Sequence, residues 1–159
     1  MKQRLTAVFE ALDRQAPLIL PLIARLGFVA ALGPFFWRSA LTKLDGLSLS
    51  AGAYVQILPK LAEAHGYDPS AMPFWAHLIV WFGTLAELAL PALILIGLFS
   101  HLSALAMMGF IAVMTLTDIF GHAVSPMEAI PPRLLWLAVL AVPIFLGGGA
   151  LSADHALRR

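Results

Sequence analysis

Two charged side chains lie inside apolar runs, and they are the first candidates for chemistry. Glu87 is the single acid within the stretch Phe74 to Phe99, FWAHLIVWFGTLAELALPALILIGLF. A carboxylate at that depth in hydrocarbon costs several kcal/mol unless it is protonated, paired or turned to a wet cavity. Arg25 is the cation at comparable depth. Counting from Pro17 at ~1.5 Å per residue puts it about 12 Å in, and counting from Phe99 puts Glu87 about 18 Å in. The remaining gap of about 6 Å is within an arginine's reach. Two readings follow. One is an ion pair that locks two helices together. The other is a polar site that binds a quinone head group or relays a proton.

A second set of residues belongs near the opposite boundary: Arg38, His77, Asp118 and His122. Asp118 and His122 stand at i, i+4, which puts both on one helix face if the helix reaches that far. Read functionally, they form a small outward-facing site for a quinol, an anion or a metal. His77, Asp118 and His122 would be the metal ligands, although His/Asp at this spacing is a weak metal signal. Read structurally, they are interfacial polar groups solvated by lipid head groups. Trp37, Trp75, Trp81 and Trp136 suit an aromatic belt or packing roles. Met107, Met108, Met114 and Met127 are too scattered for a copper relay. Gly147 to Gly149 follows no strand and is no phosphate loop.

The chain must position these groups with very little charge. Of 159 residues, 60% are hydrophobic and 12% charged, and the mean hydropathy is +0.87. A soluble domain of this size needs far more charge to cover its surface. The composition predicts an all-α integral membrane four-helix bundle with short interfacial helices, as one domain over residues 1–159. The expected spans are about 17–43, 74–99, 102–120 and 133–149. Residues 1–16 read as a separate interfacial helix, with Leu5, Val8, Phe9 and Leu12 at helical spacing. Ala53 to Ala64 reads as one or two short helices on the membrane, interrupted at Pro59. Pro131-Pro132 is expected to precede the last span. The link at Gly97 to His101 is so short that its two helices must form an antiparallel hairpin. The amphipathic start and the run ending at Trp37-Arg38 offer no clear cleavage site, so no removable signal peptide is expected.

A net charge of +1 and the absence of a basic run argue against nucleic-acid binding. With no cysteine, the chain has no disulfide, thiol redox chemistry or cysteine-ligated metal. Placing the N-terminus in the cytoplasm puts Lys2, Arg4, Arg14, Arg158 and Arg159 inside, against Arg38, Lys43, Lys60 and Arg133 outside. That bias is modest, and four spans bring both termini to the same side.

Three segments carry a family resemblance. RLGFVAALGPFFWRSALTKL, from Arg25 to Leu44, is similar to the first-helix pattern of the DoxX family: an arginine, an apolar helix, a terminal Lys-Leu. LAELALPALILIGLFSHLSALAMMGF, from Leu85 to Phe110, resembles its central signature of a glutamate, a Leu-rich run, Gly-Leu and an Ala-rich third helix. The tail GGGALSADHALRR resembles the Gly-x-Leu-Ser-x-Asp ending of many members. The chain departs from the pattern at His101, where members often have arginine, and at Asp118 and His122, where many are apolar. The resemblance implies a multi-pass protein of the bacterial inner membrane, and relatives include a subunit of a thiosulfate:quinone oxidoreductase. The implied function is that of a quinone-linked redox or oxidative-stress subunit. Its ligand would be a quinone, and any further cofactor would sit on a redox partner protein. No covalent cofactor is expected. The alternative is a non-catalytic scaffold or assembly protein for a redox or metal-stress system, with a tightly packed bundle and no cavity at Glu87. A small transporter is a third reading, since four helices suit alternating access only in an oligomer.

Overall fold

The computed structural model describes the backbone of residues 2–158 and the side chains of residues 5–158. The side chains of Lys2 and Arg4, and all of Arg159, used above to orient the chain, lie outside the described residues. Helix α1 runs from Lys2 to Thr42, followed by the short strands β1 (Leu44–Asp45) and β2 (Ser48–Leu49). Next come α2 (Ala51–Ile57), α3 (Pro59–Ala64), α4 (Phe74–Ile96) and α5 (Ser100–Leu116). A π-helical turn, Thr117–Gly121, ends α5, and α6 (Pro126–Leu146) and α7 (Ala153–Leu157) complete the chain. Among the described residues four helices are long and apolar enough to span a bilayer: Leu5–Thr42, Phe74–Ile96, Ser100–Gly121 and Pro126–Leu146.

The spans form a closed ring in which α1 packs on α4, α4 on α5, α5 on α6 and α6 on α1. Their shared core is Phe28, Val29, Phe36, Ile94, Ala104, Met107, Ile111 and Leu140. Phe36 meets Phe110 and Trp136 edge-on, with centroids 6.1 and 6.5 Å away, the tilted geometry that aromatic rings prefer. The outer faces carry exposed Phe82, Leu105, Val113, Leu116, Leu135 and Phe145. In water such a surface would be untenable, so its natural solvent is lipid.

Two boundaries differ from the sequence reading. Of the expected interfacial helix over 1–16, the described residues 2–16 are not a separate element: α1 is continuous through Pro17, Pro21 and Pro34. Asp13, a residue of N-capping type, stays within the helix and no glycine separates Leu12 from Pro17, and the fixed φ of proline suits a helix whose freed carbonyls find other partners. At ~1.5 Å per residue the helix is about 60 Å long, roughly twice the hydrocarbon thickness. Helix α6 starts at Pro126, and Pro131 and Pro132 lie inside it rather than before it. The carbonyls they leave unpaired belong to exposed Met127 and Glu128 in the first turns, where solvent or head groups satisfy them.

The connection between α1 and α4 also packs more closely than an interfacial helix would. Ala53, Tyr54 and Ala62 join Met72, Ala76 and Val80 in a second core, so α2 rests on α4. Tyr54 is hydrogen-bonded to His77 Nδ1, and their rings meet edge-on with centroids 5.4 Å apart.

Candidate functional site

Arg25 and Glu87 are both buried, at 2% and 6% exposure, but they do not pair. The partner of Glu87 is Lys43, itself 2% exposed. Lys43 Nζ donates to Glu87 Oε2 at 2.7 Å and to Oε1 at 3.0 Å. Ser39 Oγ donates to Glu87 Oε1 at 3.2 Å, and Lys43 Nζ also reaches Ser39 Oγ at 2.6 Å. The reason lies in helix geometry. Side chains tilt towards the helix N-terminus, so a lysine just past the end of α1 runs back one turn to Ser39 and into the bundle. The sequence reading had turned Lys43 outward to the interface.

Arg25 instead closes the opposite end of the bundle. Its Nε donates to the Ile94 carbonyl at 2.9 Å and Nη2 to that of Leu95 at 2.9 Å. Nη1 donates to Gly148, and both Nη atoms reach Leu151 O at 3.3 Å. The last carbonyls of a helix have no intrahelical donors and carry the negative end of its dipole. One guanidinium, with donors in a fixed fork, therefore holds the end of α4 and the segment after α6 together. Gly97, the C-cap of α4, lies at φ +69°, and a Cβ there would stand 2.5 Å from Arg25 Nη1.

The outer-side set is divided. His77 is occupied by Tyr54. Arg38 is exposed on α1 and does not line the site. Asp118 is paired with Arg133 Nη2, a partner the sequence reading did not name. His122 Nε2 lies 3.1 Å from the Gln56 carbonyl. The π turn, closed by His122 N–H donating to Thr117 O at 3.1 Å, replaces the α-helical i, i+4 relation expected of Asp118 and His122. Such widened turns occur often at functional sites. His77, Asp118 and His122 therefore do not converge as metal ligands. Among the described residues no group of three or more His, Cys, Asp or Glu is placed to hold a metal ion.

What does converge is a cavity of about 520 Å³. Ser39, Lys43, Glu87, Gln56, Thr117, Asp118, His122 and Arg133 supply its polar lining. The rest is mainly apolar: Phe35, Ile57, Ile79, Phe82, Phe110, Val113 and Met114. Glu87, Asp118 and His122 thus share one space, while Arg25, His77 and Arg38 do not line it. Arg133 Nη1 donates to Ala129 O at 2.9 Å, and its Nε–H is buried without a partner. A buried unpaired donor costs about 1–3 kcal/mol.

Residues 20–123 match the family model of DoxX. The chain belongs to the DoxX family. The matched segment contains Arg25, Lys43, Glu87, Asp118 and His122 and ends before α6, so Arg133 and the Gly-rich tail lie beyond it. Comparison with curated proteins and with solved structures gave no match. With four apolar helices, this DoxX protein is a multi-pass membrane protein.

Proposed function

We propose that this DoxX protein is a quinone-linked redox subunit of the bacterial inner membrane, and that the cavity at Glu87 receives the quinone head group. The cavity carries the reading. It is about 520 Å³, within the usual range of small-molecule sites, and is mainly apolar with a few convergent polar groups. Its four charged groups, Lys43, Glu87, Asp118 and Arg133, form two ion pairs and cancel, which suits an uncharged ring. Lys43 and Glu87 are suited to exchange protons with a ring oxygen. Reduction of a quinone to a quinol takes up two electrons and two protons. The electrons would come from a redox partner protein: the chain has no cysteine, and among its described residues no group of three or more His, Cys, Asp or Glu is placed to hold a metal ion.

The scaffold reading expects tight packing at Glu87, and the cavity weighs against it. The test is binding of a short-chain quinone to protein in nanodiscs, by equilibrium dialysis. Saturable binding at about one quinone per chain is expected, weakened roughly tenfold or more in Glu87→Gln, consistent with loss of a charge-assisted contact. Unsaturable partitioning, identical in the two proteins, would return the chain to the scaffold reading.

A further inference from the structure

A second, shallower hollow adjoins the polar cavity. It has a volume of about 480 Å³ and lies between the α2–α3 break and the end of α5. Ile57, Val113 and Thr117 line both spaces, so the two adjoin across these side chains. Beyond those shared residues the hollow is bordered by Leu58, Pro59, Leu61, Leu116 and Phe120, with Lys60 exposed. The character of the path therefore changes along its length, from ion pairs at Glu87 and Asp118 to hydrocarbon at Leu116 and Phe120. Its outer end lies on the lipid-facing side of α5, where Val113, Leu116 and Phe120 are 61%, 53% and 68% exposed.

The hollow exists because the chain breaks there twice. Pro59 cannot donate a backbone hydrogen bond, and α2 ends at Ile57 before α3 restarts at Pro59. Across from it the π turn ends at Gly121, where a Cβ would stand 2.7 Å from Pro59 Cγ. Two interrupted helices thus meet through a glycine and a proline, and the hollow lies beside that contact.

We infer that the ligand of this site is a single-tailed amphiphile, which enters sideways from the bilayer and leaves its apolar tail in the groove between Leu58–Leu61 and Val113–Phe120. The inference rests on the head-group reading of the cavity and adds the route and the tail. Lipid already solvates such a tail, so the groove supplies room rather than affinity. Blocking it should therefore penalise tailed ligands alone.

Leu116 lines the hollow but not the polar cavity and is exposed, so Leu116→Trp fills the groove without disturbing the buried core or the head-group cavity. The probes are a decyl-substituted benzoquinone and the same ring with a methyl group in place of the tail. Each is titrated by equilibrium dialysis against protein in nanodiscs, with concentrations expressed per lipid. Overpacking of this size predicts a loss of roughly tenfold or more for the decyl compound. The methyl compound should stay within about twofold of the wild type, because Leu116 does not line the cavity that seats its ring. Equal losses for both, or none for either, would overturn the tail route and leave the head-group reading intact. If neither compound binds the wild type saturably, both readings fall. A second measurement uses the unaltered protein: a decyl quinone with a photoreactive tail end should label peptides from 57–61 or 113–121. Labelling confined to other helices would overturn the route.

Discussion

Lys43 and Glu87 meet as two buried charges, each of which would be severely destabilising alone. Removing one partner of such a pair typically costs ~3–5 kcal/mol. Glu87→Gln and Lys43→Met should each lower the unfolding temperature in detergent, and the double variant should recover part of the loss. A coupling above ~0.5 kcal/mol marks residues in contact. The Arg25/Glu87 cycle should be additive within the same margin, because Arg25 binds carbonyls at the other end of the bundle. A large Arg25/Glu87 coupling would contradict the assignment. Arg25→Lys keeps the charge but lacks the planar fork, so it should still cost about 2 kcal/mol by leaving carbonyls at the end of α4 without donors. Gly97→Ala should also destabilise. Its φ of +69° disfavours a side chain, and the added Cβ would press on the Arg25 guanidinium.

At the level of elements, the tail is tied to the α4–α5 hairpin by Asp154. Its carboxylate accepts from the N–H groups of Phe99 and Ser100, each at 2.7 Å, at the start of α5. Burial pushes this carboxyl up. The hydrogen bonds from Ser100 and Phe99, with Arg158 nearby, outweigh that effect and hold it below the usual carboxylate range. A depressed folded pKa contributes stability that is fully present above the unfolded value of ~3.9 and is lost as the pH falls through the folded one. The stability advantage of the wild type over Asp154→Asn should therefore be constant from neutral pH to about pH 5 and shrink below ~3.9. An advantage that grows on acidification would show the sign to be wrong. Thermal unfolding of both proteins across that pH series is the measurement.

Across the whole molecule, the ring of four spans puts the Arg25 end and the Glu87–His122 cavity at different depths. Four crossings predict both termini on one side, and β1–β2 and the α5–α6 link on the other. Reporter fusions at Gly46 and Pro126 should report one compartment, and a fusion after Arg158 the opposite one. If Gly46 and the C-terminal fusion report the same side, the four-span arrangement fails. The cytoplasmic assignment of the termini rests on the cation bias and is tested by the same fusions.

The sequence by itself determined the membrane class, the four spans and the α4–α5 hairpin. Hydropathy, helix length and short links depend on local composition alone. It also determined that Glu87 and Arg25 had to be sheltered, because the cost of an ion in hydrocarbon does not depend on who shelters it. The identity of each partner was a tertiary matter. Depth counting compares positions along an axis, but it carries no information on rotation about the helix or on the backward tilt of a side chain. Lys43 therefore read as an outward cation although its ammonium turns back to Ser39 and Glu87. The carbonyls that Arg25 binds come from Ile94, Leu95, Gly148 and Leu151, which only packing brings together. Asp118 and His122 were legible as polar groups at the end of a span. Their division between Arg133 and Gln56 was not, because the π turn and the early start of α6 change the angular relation that sequence spacing assumes.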